Sequence, residues 1–506
     1  GHMTPPFPVR LFPIIHEWMF NAQRSKEETW FRRLMDFVMT KTPVSHTAEE
    51  SFVRRLVRPL LPAITRRRLP QCLRHAPIAF VEHHRAHAGG AWKTSGFERT
   101  LCVTADGMGD GLSITVSLCG PEQGIERLWT AASRDSFGLF FEVVAEAFGF
   151  TPCRDEGKIT GLAAHGDPHA IDEATPFHIE HGRLEYTGPS GREGVAWIRG
   201  LRERGYSRED ISAWAQELLE SHLVEISRWW LRETELSHLA VAGGVFANVK
   251  LNQRLHELDE VEHLFVYPNM GDGGLSLGAI LAEQPVPPVQ VPDVFFGEDY
   301  PNEAVTEALD RAGLAYERLD DAELRLAELL AEGYIVARFR GRMEWGPRAL
   351  GNRSILVRTR DRAVVDRLNT ALDRSDFMPF APAVLDEDAE EYCSGVDAAR
   401  HSAEFMTVCF DCTDRMQREH PAIVHVDDTA RAQLVRQETN SPFHRILSEF
   451  KARSGTGVLL NTSFNIHEEP IVRTPDQAVA AFLHARLDYL CINDFLVRCP
   501  AEEQDV

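Results

Sequence analysis

The 506-residue chain contains no uninterrupted run of about 18 apolar residues, so no membrane span is expected. It has no low-complexity tract, and its 43% hydrophobic content supplies substantial cores, which excludes a disordered chain. No stretch has the G-x-x-x-x-G-K-[ST] spacing of a P-loop, and none has the G-x-S-x-G of a serine-hydrolase elbow. Positive charge is in short supply. A net charge of −22 repels polyanions, so no nucleic-acid partner is expected, although arginine-lined pockets for small anions remain compatible. The nine cysteines are scattered, and only Cys409 and Cys412 form a C-x-x-C. Their segment reads as a strand, which sends the two thiols to opposite faces, and no second pair completes a zinc site. Free thiols in a reducing cytoplasm are the expectation. Gly1-His2-Met3 reads as an expression-tag remnant with no signal peptide after it.

What is present is an alternation of helices and strands. Residues 4–75 carry two stretches with helical spacing, "KEETWFRRLMDFVM" and "AEESFVRRLVRPLL". "LCVTADGMGDGLSITVSL" reads as a β-hairpin turning at Asp106–Gly111. A long amphipathic helix follows in "ISAWAQELLESHLVEISRWWLRETEL", then two strand–glycine turn–helix units at "HLAVAGGVFANVKLNQRL" and "HLFVYPNMGDGGLSLGAILAEQ". Five prolines between Pro285 and Pro301 interrupt the pattern. Proline fits neither a helix interior nor a central strand, so a domain boundary is placed here, dividing the chain into 1–290 and 291–506. The second part predicts helices near 302–313 and 320–332, the strand "YIVARF" and further mixed α/β segments.

Two features carry chemistry. In "EHHRAHAGGAW", a helix places His83 and His87 four apart on one face and turns His84 elsewhere. The imidazoles could pack, relay protons or hold a metal. Asp106 and Asp272 lie in glycine-rich turns of the kind where a carboxylate faces a phosphate-bound cation. A His₂Asp₂ set suits Fe, Mn, Zn or Mg without choosing among them. The three turns "ADGMGDG", "AGGVFAN" and "NMGDGGLSLGA" let backbone approach phosphate. In this order they suggest the duplicated fold of actin and sugar kinases. The second feature is "RGRMEWGPRALGNRSIL", with Arg340, Arg342, Arg348 and Arg353 lacking amphipathic spacing. Guanidinium forks suit phosphate and carboxylate; the alternative is a structural ion-pair network. Arg374, Arg431 and "NTSFN" could converge on the same anion, with Ser463 and Asn465 facing one side of an extended segment.

At these residues the sequence resembles the NodU/CmcH family of O-carbamoyltransferases. The matching runs are "EHHRAHA", "TADGMGDG", "EGKITGLAAHG", "AGGVFANVKLN", "NMGDGGLSLGA", "GRMEWGPRALGNRSIL", "PFAPAVL", "ARAQLV" and "LLNTSFNIHEEPIV", in family order over roughly residues 78–496. The resemblance implies an α/β chain with an N-terminal actin-like (ASKHA) domain followed by a YrdC-like domain. It implies that ATP and carbamoyl phosphate give carbamoyl adenylate and pyrophosphate in the second domain. The first domain, with a divalent metal, then passes the carbamoyl group to a hydroxyl of a small natural product. Iron is the metal implied, with Mg accompanying ATP; a homodimer is compatible. Carried over by motif, His83, His87, Asp106 and Asp272 correspond to metal ligands. Gly107, Lys158, Gly243, Gly244 and Asn248 fall in the adenylate motifs. Arg342, Arg348, Arg374, Arg431, Ser463 and Asn465 fall in the pocket for ATP and carbamoyl phosphate. Arg348, Arg374, Arg431 and Ser463 are the candidate catalytic groups there. Two departures stand out. The family's first hairpin, with its Gly…His-Asp motif, is not found. Leu372 and Asp373 also stand where relatives carry a Lys that contacts carbamoyl phosphate. A nucleotide-binding scaffold without transferase activity is therefore the alternative.

Overall fold

A computed structural model describes residues 79–500 other than 361, 373–379 and 468, together with residue 71. The helical stretches expected within residues 4–75, and the candidates Asp373 and Arg374, lie outside the described residues.

The first half opens with helix α1 (His83–Ser95). The Glu82 carboxylate caps its free N–H groups at His84 and Arg85, and Gly96, in the left-handed region, ends it. Strands β1 (Thr100–Gly109), β2 (Leu112–Gly120) and β3 (Gly124–Ala132) follow as an antiparallel meander. The expected hairpin is there, with its turn tightened to Asp110-Gly111, both at positive φ. Helices α2 (Phe137–Ala147) and α3 (Glu156–Ala163) lead to the small hairpin β4 (Phe177–Glu180) and β5 (Arg183–Tyr186). Next come α4 (Gly191–Glu203) and the long α5 (Arg208–Thr234). Then β6 (His238–Ala242), α6 (Val249–His256), β7 (His263–Val266) and α7 (Leu275–Glu283) complete this half. The sheet order is β3-β2-β1-β6-β7, with β1, β6 and β7 parallel. Leu101, Val103, Leu239 and Val241 are fully buried in it.

Helices α1 and α7 pack through small residues. A Cβ on Gly278 would sit 2.1 Å from the Ala86 carbonyl oxygen, and one on Gly89 would sit 2.6 Å from the Ala282 Cβ. Only glycine permits this approach, and it sets the start of α1 beside the loop before α7.

No helix or strand lies between Glu283 and Asn302, as the prolines predict. This stretch is not a loose tether. Val289 and Val291 donate to carbonyls of Lys93 and Thr94, and Gly297 pairs with Met343. The second half contains α8 (Asn302–Arg311), β8 (Tyr316–Arg318), α9 (Ala322–Glu332), β9 (Val336–Phe339), β10 (Arg353–Arg358) and α10 (Ala363–Ala371). It continues with β11 (Ala381–Leu385), β12 (Phe410–Asp411), β13 (Thr429–Ala430), β14 (Gln433–Val435), α11 (Ser441–Ser454) and β15 (Val458–Ser463). Helix α12 (Pro475–Ala485), β16 (Tyr489–Ile492) and β17 (Phe495–Arg498) close it. Eight strands form one mixed sheet in the order β14-β11-β15-β10-β9-β16-β17-β8, and β12 pairs with β13 as a short ribbon. The fold is therefore mixed α/β with several sheets. Cys409 lies just outside the two-residue strand β12, and both it and Cys412 are buried free thiols. Among the described residues, no helix is long and apolar enough to cross a membrane.

Candidate active site

The carboxyl ends of the parallel strands β1, β6 and β7 open onto a crevice, the usual ligand position in such a sheet. Four side chains converge there: His83 and His87 from the first turns of α1, Asp106 near the end of β1, and Asp272 from the loop before α7. Their donor atoms all lie within 4.8 Å of one another. The two Nε2 atoms are 3.1 Å apart. Asp106 Oδ2 is 3.2 Å from His87 Nε2 and 3.4 Å from His83 Nε2. Asp272 Oδ1 is 3.5 Å from His83 Nε2 and 3.7 Å from His87 Nε2. Asp272 Oδ1 is buried, and at these separations it has no hydrogen-bond partner.

The donor set fits a metal ion. Four ligands about 2.1 Å from a common centre are about 3.4 Å apart if tetrahedral. The separations here bracket that value, and an ion would satisfy the Asp272 oxygen. Without one, the electrostatics must be met by protons. Burial alone would lower the His87 imidazole, but its hydrogen bond to Asp106 and the charges of Asp106 and Asp272 lift it to about 9. Burial would raise Asp106, but the two histidines hold it well below the usual carboxylate range. His84 turns away as expected. Its Nδ1 meets Thr104 Oγ1 at 2.8 Å and its Nε2 meets the Leu112 carbonyl at 3.2 Å. Burial pushes it down to about 3, so it stays neutral.

The same crevice continues as a cleft of about 550 Å³ between the two halves. Asp106, Gly107, Gly244, Asn248 and Asp272 line one wall, and Arg348 and Arg431 line the other. Asn248 is fixed: its Oδ1 caps α6 at Leu251, and its Nδ2 donates to Thr160 and Gln216. Gly243 sits behind the lining at φ +108, where a Cβ would lie 2.0 Å from the Ala105 carbonyl oxygen. Arg348 rides on a loop wrapped around the buried Glu344, whose Oε1 accepts N–H groups of Leu350, Asn352 and Arg353. Arg431 is half-buried, and among the described residues no carboxylate pairs with it. Its Nε has no hydrogen-bond partner, and burial lowers its pKa.

Several sequence candidates are placed elsewhere. Lys158 Nζ is 3.2 Å from Asp155 and over the Phe150 ring, while its neighbours Gly157 and Thr160 line the cleft. Arg342 is spent on the carbonyls of Phe296 and Gly297. Arg340 pairs with Glu323 and Asp494. Arg353 stacks 3.6 Å over Phe339. Of these three, Arg340 takes part in an ion-pair network, while Arg342 and Arg353 are held by carbonyls and, for Arg353, a ring. Ser463 ends β15 opposite Ser354. The strand stops there, so Asn465 does not continue its alternation, and its amide donates to carbonyls of Ile466 and Glu469. Leu372 is buried at the end of α10.

Other lining groups carry no sequence expectation: Glu142, Lys250 and His425. Burial pushes Glu142 up to about 7, assisted by the charges of Glu156 and Asp106. The spacing in "VHVDD" is the one local signal for His425.

Two family profiles match the chain: carbamoyltransferase N-terminus over residues 32–281 and carbamoyltransferase C-terminus over residues 327–499. Nodulation protein NolO of Bradyrhizobium diazoefficiens is 36% identical over 444 residues, covering 84% of this chain and 80% of that protein. The 3'-hydroxymethylcephem-O-carbamoyltransferase of Amycolatopsis lactamdurans is 31% identical over 350 residues, covering 66% and 63%. Among solved structures, full-length HypF in its phosphate- and nucleotide-bound form is similar with a TM-score of 0.26 and 21% identity. That match covers 36% of this chain and 22% of that one, too little to bear on the fold.

Proposed function

The chain belongs to the carbamoyltransferase family, and from that premise we propose an ATP-dependent O-carbamoyltransferase acting on a hydroxyl of a small natural product. Residues 1–290 act as an actin-like transfer domain and 291–506 as a YrdC-like adenylate-forming domain. The relative that acts on a hydroxymethylcephem illustrates the acceptor class.

Two steps account for the atoms. Carbamoyl phosphate, ATP and one water give carbamoyl adenylate, pyrophosphate and inorganic phosphate. The acceptor oxygen then attacks the carbamoyl carbon, AMP leaves, and the hydroxyl proton passes to a base. Arg348 and Arg431 draw the polyanionic reactants together and hold them in line, with Arg374 assigned to the same pocket from its motif. The half-buried Arg431 is suited to this because a guanidinium with no carboxylate partner favours an anion. Gly107 and Gly244 let the adenylate approach the backbone, and Asn248, fixed by Thr160 and Gln216, caps the start of α6 beside them. His83, His87, Asp106 and Asp272 would hold a divalent ion, iron by family resemblance. When bound, it supplies a Lewis acid for the carbamoyl carbonyl or the departing AMP.

The observation that supports this reading most is that the His₂Asp₂ cluster and the unpaired Arg431 share one cleft. Its test is incubation of the metal-loaded full chain with ATP and carbamoyl phosphate. Pyrophosphate release, and a carbamoylated product from a panel of hydroxylated natural products, are expected. Leu372, standing where relatives carry Lys, favours the scaffold alternative; ATP binding with no pyrophosphate release would select it.

A further inference from the structure

The balance above leaves one task unassigned. A water molecule must be activated if carbamoyl phosphate is to yield carbamate and inorganic phosphate. The Arg348–Arg431 wall of the cleft offers one imidazole, His425, the only histidine among the described lining residues. The other titratable group on that wall is the Cys409 thiol, which burial pushes up to about 11.

His425 is built into its position. Its backbone N–H donates to the Thr429 carbonyl in a tight turn that places Asp428 at φ +60. Its Nδ1 lies 3.1 Å from Asp427 Oδ1. Asp427 is anchored in turn by the Thr429 hydroxyl at 2.7 Å and by Lys250 Nζ at 2.9 Å. Lys250 belongs to α6, so the first half of the chain holds the carboxylate that orients this imidazole. Because a carboxylate accepts only, Nδ1 carries the proton and Nε2 is left with its lone pair. Nε2 is shielded from bulk solvent and has no hydrogen-bond partner. A buried acceptor left bare costs free energy that one ordered water would recover.

We propose that His425 is the general base for the water that attacks carbamoyl phosphate, and that Asp427 is its positioning residue. The water oxygen bonds to phosphorus as its proton passes to Nε2. The bond from phosphorus to the carbamoyl oxygen breaks, and its electron pair stays on carbamate. That oxygen then attacks the α-phosphorus of ATP and pyrophosphate leaves. The inference rests on the functional reading above.

Carbamate supplied directly bypasses the step. The full chain and its His425→Gln variant are compared for pyrophosphate release with ATP plus carbamoyl phosphate, and with ATP plus ammonium carbamate. His425→Gln should lower kcat with carbamoyl phosphate by about 100-fold or more, the usual contribution of a general base, with KM little changed. With carbamate it should match the parent chain. In labelled water, the parent should place the heavy oxygen in inorganic phosphate. Asp427→Asn should lower kcat with carbamoyl phosphate less than His425→Gln does, leave KM little changed and match the parent chain with carbamate. The other groups around His425 are Asp428 in its turn, Lys250 from α6, His165 after α3, and Cys409, Arg348 and Arg431 in the lining. Equal loss with both substrates would make His425 structural, and no loss with carbamoyl phosphate would refute the assignment. A parent chain inert with both substrates would instead sink the functional reading, and this inference with it.

Discussion

Gly109→Ala would damage the His₂Asp₂ site without touching a ligand. Gly109 closes β1 beside His83, and a Cβ there would lie 2.1 Å from His83 Cδ2, 2.3 Å from Cγ and 2.6 Å from Nε2. Ordinary contact begins near 3.4 Å, so the ring must retreat by about 1.3 Å. It has nowhere to go, because it is 3% exposed and packs edge-on against His87 at 4.7 Å and His84 at 5.1 Å. Overpacking of this kind costs about 1–3 kcal/mol, which a chain of this size should survive. Metal affinity should suffer more. Displacing groups that merely orient ligands costs about 10–100-fold, so moving a ligand by this distance should cost about 100-fold or more. The assay is competition of Fe(II), Mn(II) and Zn(II) against a chromogenic chelator, with circular dichroism and ATP binding as folding controls. A folded Gly109→Ala protein that binds metal as tightly as the parent would refute the placement of His83 in the site.

Other consequences follow from the same geometry. Arg431→Ala should weaken ATP binding by about 10–100-fold by calorimetry, the worth of one charge-assisted hydrogen bond. Arg342→Ala should leave ATP affinity unchanged and lower the melting temperature, because it ties the loop to Phe296 and Gly297; a large affinity loss would restore the sequence expectation. Buried His420 lies between the hydroxyls of Thr359 and Thr456, and burial pushes it down to about 4. The unfolded chain therefore binds more protons between pH 6.5 and about 4, and stability should fall as pH drops through that window. Urea midpoints at pH 7 and pH 5 should converge in His420→Gln; an unchanged pH dependence would contradict the assignment.

The His₂Asp₂ cluster was legible in sequence because each member sits in a short-range pattern. Histidines four apart on a helix share a face whatever surrounds them, and Asp106 and Asp272 sit in glycine-rich motifs, the first within the end of β1 and the second in the loop before α7. The hairpin, the long helix and the break at 284–300 were legible for the same local reason. Arginine roles were not. Arg342, Arg348 and Arg353 lie within twelve positions, yet Glu344 organises their loop so that one reaches the cleft while the others bind carbonyls. The direction of Lys158 was not legible either, since its motif lines the cleft while its own side chain turns to Asp155. His425 was invisible because Lys250, 175 positions earlier in the chain, anchors the carboxylate that holds it.

In the proposed function one cleft serves two separable steps, the first on its arginine wall and the second at the His₂Asp₂ cluster. The most direct measurement is pyrophosphate release and acceptor carbamoylation, recorded side by side for the parent chain and His87→Ala with ATP and carbamoyl phosphate. His87→Ala should lose metal and carbamoyl transfer while releasing pyrophosphate at close to the parent rate. Loss of both steps together in a folded His87→Ala protein, or transfer that survives without the metal, would contradict it.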